Sequence, residues 1–257
     1  MNDDRAYYNE FDTKAAAWLR ELIKQGHIME GDVDDRSITE VQPSDLAGYT
    51  RCHFFAGIGG WDYALRLAGW GADRPVWTGS CPCQPFSAAG KRKGAADERH
   101  LWPEFHRLIR ECRPPVVLGE QVASAIAHGW LDRLCDDMEG IGYACGAAVL
   151  PACSVGTPHG RERLWWVASD PQRLGVEGLV PTADTREARP WRQDCEAYLH
   201  AIADRPFAPG AGWPQPLLRP VDDGLPARVV GCAGAGNAIV PQVAAAFIVA
   251  TTTGGGE

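Results

Sequence analysis

A run of strand-forming residues breaks into a glycine-rich turn in the stretch Arg51-Cys52-His53-Phe54-Phe55-Ala56-Gly57-Ile58-Gly59-Gly60. The next residues, from Trp61 to Gly69, place apolar side chains at helical spacing. A strand, a glycine turn and a helix allow backbone N–H groups to approach a ligand closely, because no side chain blocks the way. Similar turns also serve as plain strand-to-helix connections, so this stretch indicates an α/β unit and leaves ligand binding open.

Two further strands, each followed by an acid, are predicted before this stretch. Residues 5–10 are aromatic and end in Glu10, and residues 27–29 form a short apolar run that leads into Gly31-Asp32-Val33. A capped helix between the two strands completes a strand-helix-strand unit. Since ligands of open α/β sheets bind at the carboxyl ends of the strands, Glu10 and Asp32 are candidate ligand contacts.

A short apolar run over residues 75–78 leads into the loop Gly79-Ser80-Cys81-Pro82-Cys83-Gln84-Pro85-Phe86-Ser87. The two prolines restrict the backbone, which suits a thiol that must be held in one position. A lone cysteine beside prolines is also commonly an inert small apolar residue. Cys83 is therefore a candidate nucleophile whose role depends on the rest of the chain. Residues 87–99 show no apolar period and are predicted to form a mobile lid.

The remaining elements continue the α/β pattern up to residue 168. Up to that residue, strands are predicted over residues 114–120, 143–150 and 164–168, and helices over residues 15–24, 101–112 and 130–139. Beyond it, one helix is predicted over residues 193–203, and a last apolar helix runs to residue 250. The first of these strands ends in Glu120, and a carboxylate on a buried strand is costly unless it has a partner or a task. From residue 169 to about 230 prolines recur, which predicts a small irregular region.

The composition indicates an ordinary globular protein. Its 257 residues, of which 45% are hydrophobic, can bury a sizeable core, and the length suits one large domain or one domain with a small appendage. No apolar run approaches the roughly 18 residues of a membrane span, and the acidic start lacks the features of a signal peptide. We therefore expect a cytoplasmic protein without membrane association.

The cysteines and the net charge bear on disulfides, metal binding and nucleic-acid binding. The nine cysteines lack the regular framing of a disulfide scaffold, so we predict reduced thiols. Cys81 and Cys83 have no second ligand pair nearby, and we predict no metal site. A net charge of −8 argues against non-specific nucleic-acid binding by overall charge, but it leaves room for local basic surfaces at residues 91–93 and 161–163.

Taken together, these motifs resemble those of the DNA cytosine-5 methyltransferases. The resemblance is carried by five separated stretches: the cofactor turn Phe55–Gly60, the nucleophile loop Pro82–Ser87, the strand end Glu120–Val122, the pair in Arg161-Glu162-Arg163, and Gly236-Asn237 before the last helix. Gln121 departs from the asparagine of the family's Glu-Asn-Val strand end. The resemblance covers most of the chain outside residues 169–225.

The order of the motifs is unusual for this family. An acid-ending strand and a Gly-Asp-Val or Gly-Asp-Ile turn normally separate the glycine turn from the Pro-Cys loop, where this chain has only residues 61–81. Asn9-Glu10-Phe11-Asp12 and Gly31-Asp32-Val33 resemble these missing pieces at the front of the chain. We therefore interpret the cofactor-binding half as circularly permuted.

The permutation makes a structural prediction. Residues 7–9 must pair in parallel with residues 52–54, and residues 34–50 are long enough to connect the displaced outer strand back to the central one. Glu10 must then emerge at the same sheet edge as Gly57. Asp32 should line the adenine end of the pocket.

The resemblance implies an α/β fold with a Rossmann-like S-adenosylmethionine-dependent methyltransferase sheet and a small irregular target-recognition region. Residues 1–168 would form the catalytic and cofactor-binding domain in permuted order, and residues 169–230 the variable region that reads the target. Residues 231–257 would return to the catalytic domain. We expect a monomer that acts on double-stranded DNA.

The chemistry implied by the resemblance begins with the addition of Cys83 to carbon 6 of cytosine, after which carbon 5 attacks the methyl group of S-adenosylmethionine. Glu120 would hold or protonate ring nitrogen 3, and Arg163 would bind oxygen 2, with Arg161 as the other arginine of the catalytic pair. Because a stacked base is out of reach, the cytosine must be flipped out of the helix.

For the cofactor, the resemblance places Glu10 on the ribose hydroxyls, Phe11 against the adenine and Asp32 on the adenine amine. The residues assigned to the cofactor in this way are Phe55, Gly57, Ile58, Gly59, Gly60, Glu10, Phe11, Asp32, Val33 and Asn237. Taken singly, each has an ordinary alternative, such as a solvated strand end or a core side chain.

Three other functions stay open at this point. A branch of the same family methylates cytosine in transfer RNA with similar motifs, so the substrate could be RNA. A catalytically silent nucleic-acid binding protein is a second alternative, although the presence of Cys83, Glu120 and Arg163 argues against it. A redox or zinc protein built on Cys81 and Cys83 is a third.

Overall fold

One mixed sheet forms the centre of the molecule. The computed structural model describes residues 4–82, 101–156, 160–173 and 238–253. The strands in these residues are β1 (Ala6–Asn9), β2 (Gly31–Asp34), β3 (Arg51–Phe54), β4 (Val76–Gly79), β5 (Val116–Val122), β6 (Ala144–Pro151) and β7 (Glu162–Ser169). Their order is β2-β1-β3-β4-β5-β7-β6, with β1 to β5 parallel and β7 antiparallel to both of its neighbours. This is the Rossmann-like α/β sheet that the sequence predicts.

Helices connect most of the strands. The α-helices of the described residues are α1 (Thr13–Lys24), α2 (Gly60–Leu67), α3 (Trp102–Cys112), α4 (Trp130–Gly140) and α5 (Pro241–Thr253), and 3-10 turns lie at Pro43–Leu46, Ala123–His128 and Ala152–Val155. Asp12 caps α1 as predicted, because its Oδ1 accepts the Lys14 and Ala15 amides at 2.9 and 3.0 Å. None of these helices is both long and apolar enough to cross a membrane.

Both faces of the sheet are covered. Successive residues of a strand point to opposite faces, and the two tryptophans of β7 show the result. Trp166 lies in the core cluster that contains Phe105 of α3, whereas Trp165 lies in the cluster that contains Phe247 of α5. Strands buried on both faces are typical of parallel sheets flanked by helices.

The first strand of the chain lies inside the sheet. β1 pairs in parallel with β2 on one side and with β3 on the other, and its register sets Tyr7 opposite Cys52 and Asn9 opposite Phe54. The predicted parallel pairing of residues 7–9 with residues 52–54 is therefore confirmed. An element in this position cannot be removed without exposing the strands on either side.

A buried ion pair fastens this front part to the rest of the sheet. Arg51 Nη1 of β3 lies 2.8 Å from Asp62 Oδ1 of α2, and the side chains are 6% and 2% exposed. The amide of Met29, in the turn before β2, donates to the other Asp62 oxygen at 2.8 Å. His53 Nε2 lies 3.4 Å from Asp62 Oδ1. Because this α2 carboxylate has contacts from both β3 and the turn before β2, it fixes that turn against α2.

The strand predicted over residues 27–29 is wrong. Those residues form a turn after α1, and β2 begins only at Gly31. The turn is set by tertiary contacts, since the carbonyl of Met29 accepts the Tyr8 hydroxyl at 2.8 Å. A Cβ at Gly31 would lie 1.9 Å from the carbonyl oxygen of Ala6, so β2 can approach β1 only through a glycine.

The other predicted elements within the described residues agree with the structure to within about three residues at each end, as is usual for helix and strand ends. The connection over residues 34–50 contains a single 3-10 turn. The predicted lid over residues 87–99 and the predicted helix over residues 193–203 lie outside the described residues, as does most of the region 169–230.

Candidate active site

The candidate residues meet at the carboxyl edge of the parallel strands. Glu10 follows β1, the turn over residues 55–60 follows β3, Ser80 follows β4, and Glu120 lies near the end of β5. Ligands of open α/β sheets bind at this edge. Four of the parallel strands therefore deliver candidate side chains or backbone groups to one place.

Glu10 lies directly behind the glycine turn. Its Oε2 accepts the Gly57 amide at 2.7 Å and its Oε1 accepts the Asp12 amide at 2.9 Å. The prediction that Glu10 and Gly57 emerge at the same sheet edge is therefore confirmed. Its role on the ribose hydroxyls of a cofactor stays a prediction.

The turn itself has a left-handed and tightly packed backbone. Phe55, Gly57 and Gly59 have φ angles of 53°, 56° and 82°, in the left-handed region that non-glycine residues rarely adopt. A Cβ on Gly60 would lie 2.8 Å from Cγ1 of Ile239, just before α5. The turn thus packs against the segment that follows Gly236-Asn237, although Asn237 itself lies outside the described residues.

An exposed aromatic ring lies beside Glu10. Phe11 is 73% exposed, so its ring is accessible at this edge of the sheet. Ile58 lies on the glycine turn and lines an apolar groove of about 390 Å³ between α1 and α2. Val33 differs from both, because it packs against the core cluster that contains Leu19.

Asp32 lies within β2 and not at its end. It is paired with Tyr7 in the sheet, and its side chain accepts Arg5 Nη2 at 3.1 Å and the Tyr49 hydroxyl at 2.6 Å. The residue at the carboxyl end of β2 is Asp34, which accepts the Tyr7 hydroxyl at 2.5 Å. Although burial acts in the opposite direction, hydrogen bonds from Arg36 and Tyr7 lower the pKa of Asp34.

Asp34 was missed because the strand was predicted too early in the sequence. The signal that could have found it is the spacing of the acids. Asp32 and Asp34 are two residues apart, so they lie on the same face of one strand, and the later of the two must be nearer to the carboxyl edge.

A buried acid and an arginine face each other across β5 and β7. Glu120 is 7% exposed, and its Oε1 lies 2.9 Å from Arg163 Nε. Burial raises the pKa of Glu120 to about 7, although the charges of Arg163 and Arg161 and hydrogen bonds from Arg163 and Ser80 act against this. Such a carboxyl can hold a proton near neutral pH and give it to a substrate.

The second arginine of the pair joins this site to the end of the chain. Arg161 Nη2 donates to the carbonyl of Ala238 at 2.9 Å, so the residue before β7 is linked to the segment that leads into α5. Burial and the neighbouring charge of Arg163 lower the pKa of Arg161. The structure therefore brings Glu120, Arg161 and Arg163 together, as the Arg-x-Arg motif predicts.

The start of the Pro-Cys loop is attached to the same strand as Glu120. Gln121 Nε2 donates to the carbonyl of Cys81 at 3.3 Å, so the residue that replaces the family's asparagine contacts this loop. Trp61 Nε1 donates to Ser80 Oγ at 3.0 Å. Sequence reasoning missed Ser80 and Trp61, since nothing in either motif marks a contact between residues 19 positions apart. Cys83 lies outside the described residues.

The described residues contain no group of three or more His, Cys, Asp or Glu side chains that could hold a metal ion. A nucleotide-like cofactor fits the sheet edge better. The glycine turn exposes backbone where side chains would block a ligand, and Phe11 offers a free ring face beside Glu10.

The sheet order and this site define a Rossmann-like methyltransferase fold. The family model of the C-5 cytosine-specific DNA methylases matches residues 73–193, a range that includes the Pro-Cys loop, Glu120 and both arginines. Over this part of its length the chain is similar to that family. The match begins after the glycine turn, so residues 1–72 lie outside it.

Curated methyltransferases are also similar to part of this chain. The chain is 31% identical over 159 residues to the Type II methyltransferase M.AluI of Cellulosimicrobium cellulans, which covers 57% of this chain and 29% of the relative. It is 28% identical over 167 residues to the Type II methyltransferase M.HhaI of Haemophilus parahaemolyticus, which covers 50% of this chain and 51% of the relative. The chain thus spans at most about half the length of these relatives.

Among solved structures, a mutant of DNMT2 from Spodoptera frugiperda superimposes with a TM-score of 0.42 and 13% sequence identity. The superposition covers 70% of this chain and 53% of that chain.

Proposed function

We propose that this protein transfers a methyl group from S-adenosylmethionine to carbon 5 of a flipped-out cytosine in double-stranded DNA. The observation that carries the proposal is the meeting of two groups at one sheet edge. One is the glycine turn backed by Glu10, and the other is the buried Glu120–Arg163 pair on β5 and β7, next to Gln121, which contacts Cys81 of the Pro-Cys loop. The family match supports the same chemistry.

The cofactor fits the front of this edge. Glu10, Phe11 and the backbone around Gly57 would hold S-adenosylmethionine, with Asp32 or Asp34 as the acid contributed by β2. When bound, the cofactor supplies an electrophilic methyl group. The protein must then make carbon 5 of cytosine nucleophilic.

Cys83, Glu120 and Arg163 make carbon 5 nucleophilic. The Cys83 thiolate adds to carbon 6, and Glu120 gives a proton to ring nitrogen 3 as electrons move toward it. Arg163 stabilises the negative charge that develops on oxygen 2. After methylation of carbon 5, a base removes the remaining proton from that carbon, the ring double bond re-forms and Cys83 leaves as thiolate. A pKa near 7 allows Glu120 both to donate and to recover its proton at neutral pH.

The division of labour along the chain follows from the same proposal. Residues 1–168 would supply the cofactor and base sites, and residues 231–257 would return to them, which the closeness of Gly60 and Ile239 supports. Residues 169–230 would read the DNA target. This region is short for a reader of sequence, so we expect a short recognition site in a monomeric enzyme.

A covalent trap tests the proposal. DNA that contains 5-fluorocytosine cannot lose fluorine as a proton, so the enzyme and S-adenosylmethionine should form an adduct that survives denaturing electrophoresis. Cys83→Ala should abolish the adduct, whereas the matched variant Cys81→Ala, which removes a buried thiol two residues away, should keep it. Unchanged trapping by Cys83→Ala would overturn the assignment of the nucleophile.

The substrate is tested by repeating the trap with RNA of the same sequence. We expect an adduct with DNA and none with RNA, and the reverse result would move the function to the RNA-modifying branch. Bisulfite sequencing of DNA from cells that express the protein should then show methylated cytosines in one short sequence context.

A further inference from the structure

Ser80 lies between the two halves of the proposed site. It follows β4 directly, and it precedes Cys81 and Pro82 at the start of the Pro-Cys loop. Its side chain accepts the Trp61 N–H on one side, and the parallel register that pairs Gly79 with Gly119 sets Ser80 beside Glu120 on the other. No motif of the chain marks this residue, so its position became visible only in the fold.

The direction of these hydrogen bonds follows from the groups involved. An indole N–H can only donate, so Trp61 Nε1, at 3.0 Å, uses a lone pair of Ser80 Oγ. A hydroxyl has a single hydrogen, which then remains for the Glu120 carboxylate. Trp61 thus orients Ser80 so that it donates to Glu120.

Both ends of this connection are rigid. Trp61 is 3% exposed and packs edge-on against Trp165 with ring centroids 5.6 Å apart, so its N–H has a fixed direction. Glu120 is held from β7 by Arg163 Nε at 2.9 Å. The Ser80 hydroxyl therefore supplies a second constraint on the carboxylate, from the opposite side to Arg163.

We propose that Ser80 is a positioning residue whose hydroxyl, oriented by Trp61, fixes the Glu120 carboxylate and couples it to the helix that follows the glycine turn. This inference rests on the proposed function for its catalytic meaning. Trp61 comes directly after Gly60, so the segment that would hold the cofactor is linked by one side chain and one hydroxyl to the acid that would hold the base.

Titration of Glu120 tests the contact itself and needs no activity. Selective ¹³C labelling of glutamate side chains, with Glu120→Gln to assign the signal, gives its pKa by NMR. The charged groups that face Glu120 in the described residues are Arg163 and Arg161, and both are kept in every variant. Ser80→Ala removes a donor to the ionised form, so the pKa should rise by about one unit.

Companion variants separate positioning from general disturbance. Ser80→Thr keeps the hydroxyl and should restore the wild-type titration, while Trp61→Phe should raise the pKa by a smaller amount because Ser80 loses its orienting partner. Ser154→Ala removes the hydroxyl that donates to Pro151 on an exposed 3-10 turn, and it should change nothing. An unchanged Glu120 pKa in both Ser80→Ala and Trp61→Phe would overturn the inference.

Methyl transfer supplies the second readout. Ser80→Ala should lower kcat about tenfold with an unchanged KM for DNA, and the alkaline limb of its pH profile should move upward with the pKa of Glu120. A wild-type protein that methylates no DNA would refute the proposed function, while the NMR titration would still decide the role of Ser80. Wild-type rates and an unshifted limb in Ser80→Ala would instead refute the inference alone.

Discussion

The protein contains two buried carboxylates with opposite properties, Asp62 near the front of the sheet and Glu120 near its back. Burial disfavours ionisation of both. At Asp62, contacts with His53, the Met29 amide and Arg51 outweigh that effect and lower the pKa to about 2. At Glu120, burial prevails over the two arginines, and the pKa rises to about 7.

The difference shows how one fold separates a structural acid from a reactive one. Asp62 of α2 has contacts from β3 and from the turn before β2 and stays charged at any physiological pH, so it joins these three elements. Glu120 is left with fewer donors and sits at the sheet edge, where its proton can be used. Substitution of Asp62 should therefore reduce stability, whereas substitution of Glu120 should reduce activity.

The largest expected effect is on folding. Asp62→Asn leaves the buried Arg51 charge without its partner and should lower the free energy of unfolding by about 3 to 5 kcal/mol in urea denaturation. Asp132→Asn, an exposed acid in the first turn of α4, is the control and should change stability by less than about 0.5 kcal/mol. If Asp62→Asn lowers the free energy of unfolding no more than Asp132→Asn does, the structural role of Asp62 is contradicted.

The contribution of Asp62 to the free energy of unfolding should depend on pH. Its pKa is lowered in the folded state, so its stabilisation is complete above about pH 4 and is lost as the pH falls through about 2. Asp62→Asn should lack this part of the acid dependence when unfolding is measured from pH 2 to 5.

Glu120→Gln should reduce activity and leave the protein folded. We expect methyl transfer to fall at least about 100-fold, equivalent to about 2.7 kcal/mol, because the amide cannot exchange the proton. The free energy of unfolding should not decrease above neutral pH. The raised pKa of Glu120 makes wild-type stability decline as the pH rises from about 4 to 7, and the variant lacks that decline. Unfolding at pH 5 and pH 8, measured beside initial rates, checks both statements, and a wild-type rate would contradict the acid role.

A packing variant tests the support of Glu120. A Cβ at Gly119 would lie 2.2 Å from the ring of Trp166, so Gly119→Ala should cost about 1 to 3 kcal/mol of stability by overpacking. Gly140→Ala adds the same methyl group in open space near the end of α4 and is the control. Equal melting temperatures for the two variants would show that the sheet relaxes around Trp166.

The smallest effect should appear at the front edge. Phe11 is 73% exposed, so Phe11→Ala should leave the melting temperature unchanged while it weakens S-adenosylmethionine binding about tenfold, a loss of about 1.4 kcal/mol in calorimetry. Ile126→Ala, an exposed apolar residue after β5, is the control and should bind the cofactor normally. Full cofactor affinity in Phe11→Ala would remove its assigned role.

Several features of the site could be predicted because each is encoded within a few residues. The glycine turn over residues 55–60, the strand that ends in Glu120 and the Arg-x-Arg pair are local patterns, and their separate agreement indicated the family. The parallel pairing of β1 with β3 could also be predicted, because displaced motifs must return to the place that the chemistry requires. The position of β2 was wrong by several residues, since a turn fixed by distant contacts replaced the expected strand.

The sequence by itself therefore determined the fold class, the parallel pairing of β1 with β3 and the residue types available for chemistry. Only the tertiary structure decided how those residues behave. The ionised state of Asp62, the pKa of Glu120 near 7 and the contact of Ser80 with Trp61 all depend on partners that lie far away in the chain. The physical reason is that burial and charge act through space, so the environment of a side chain is known only when the elements around it are in place.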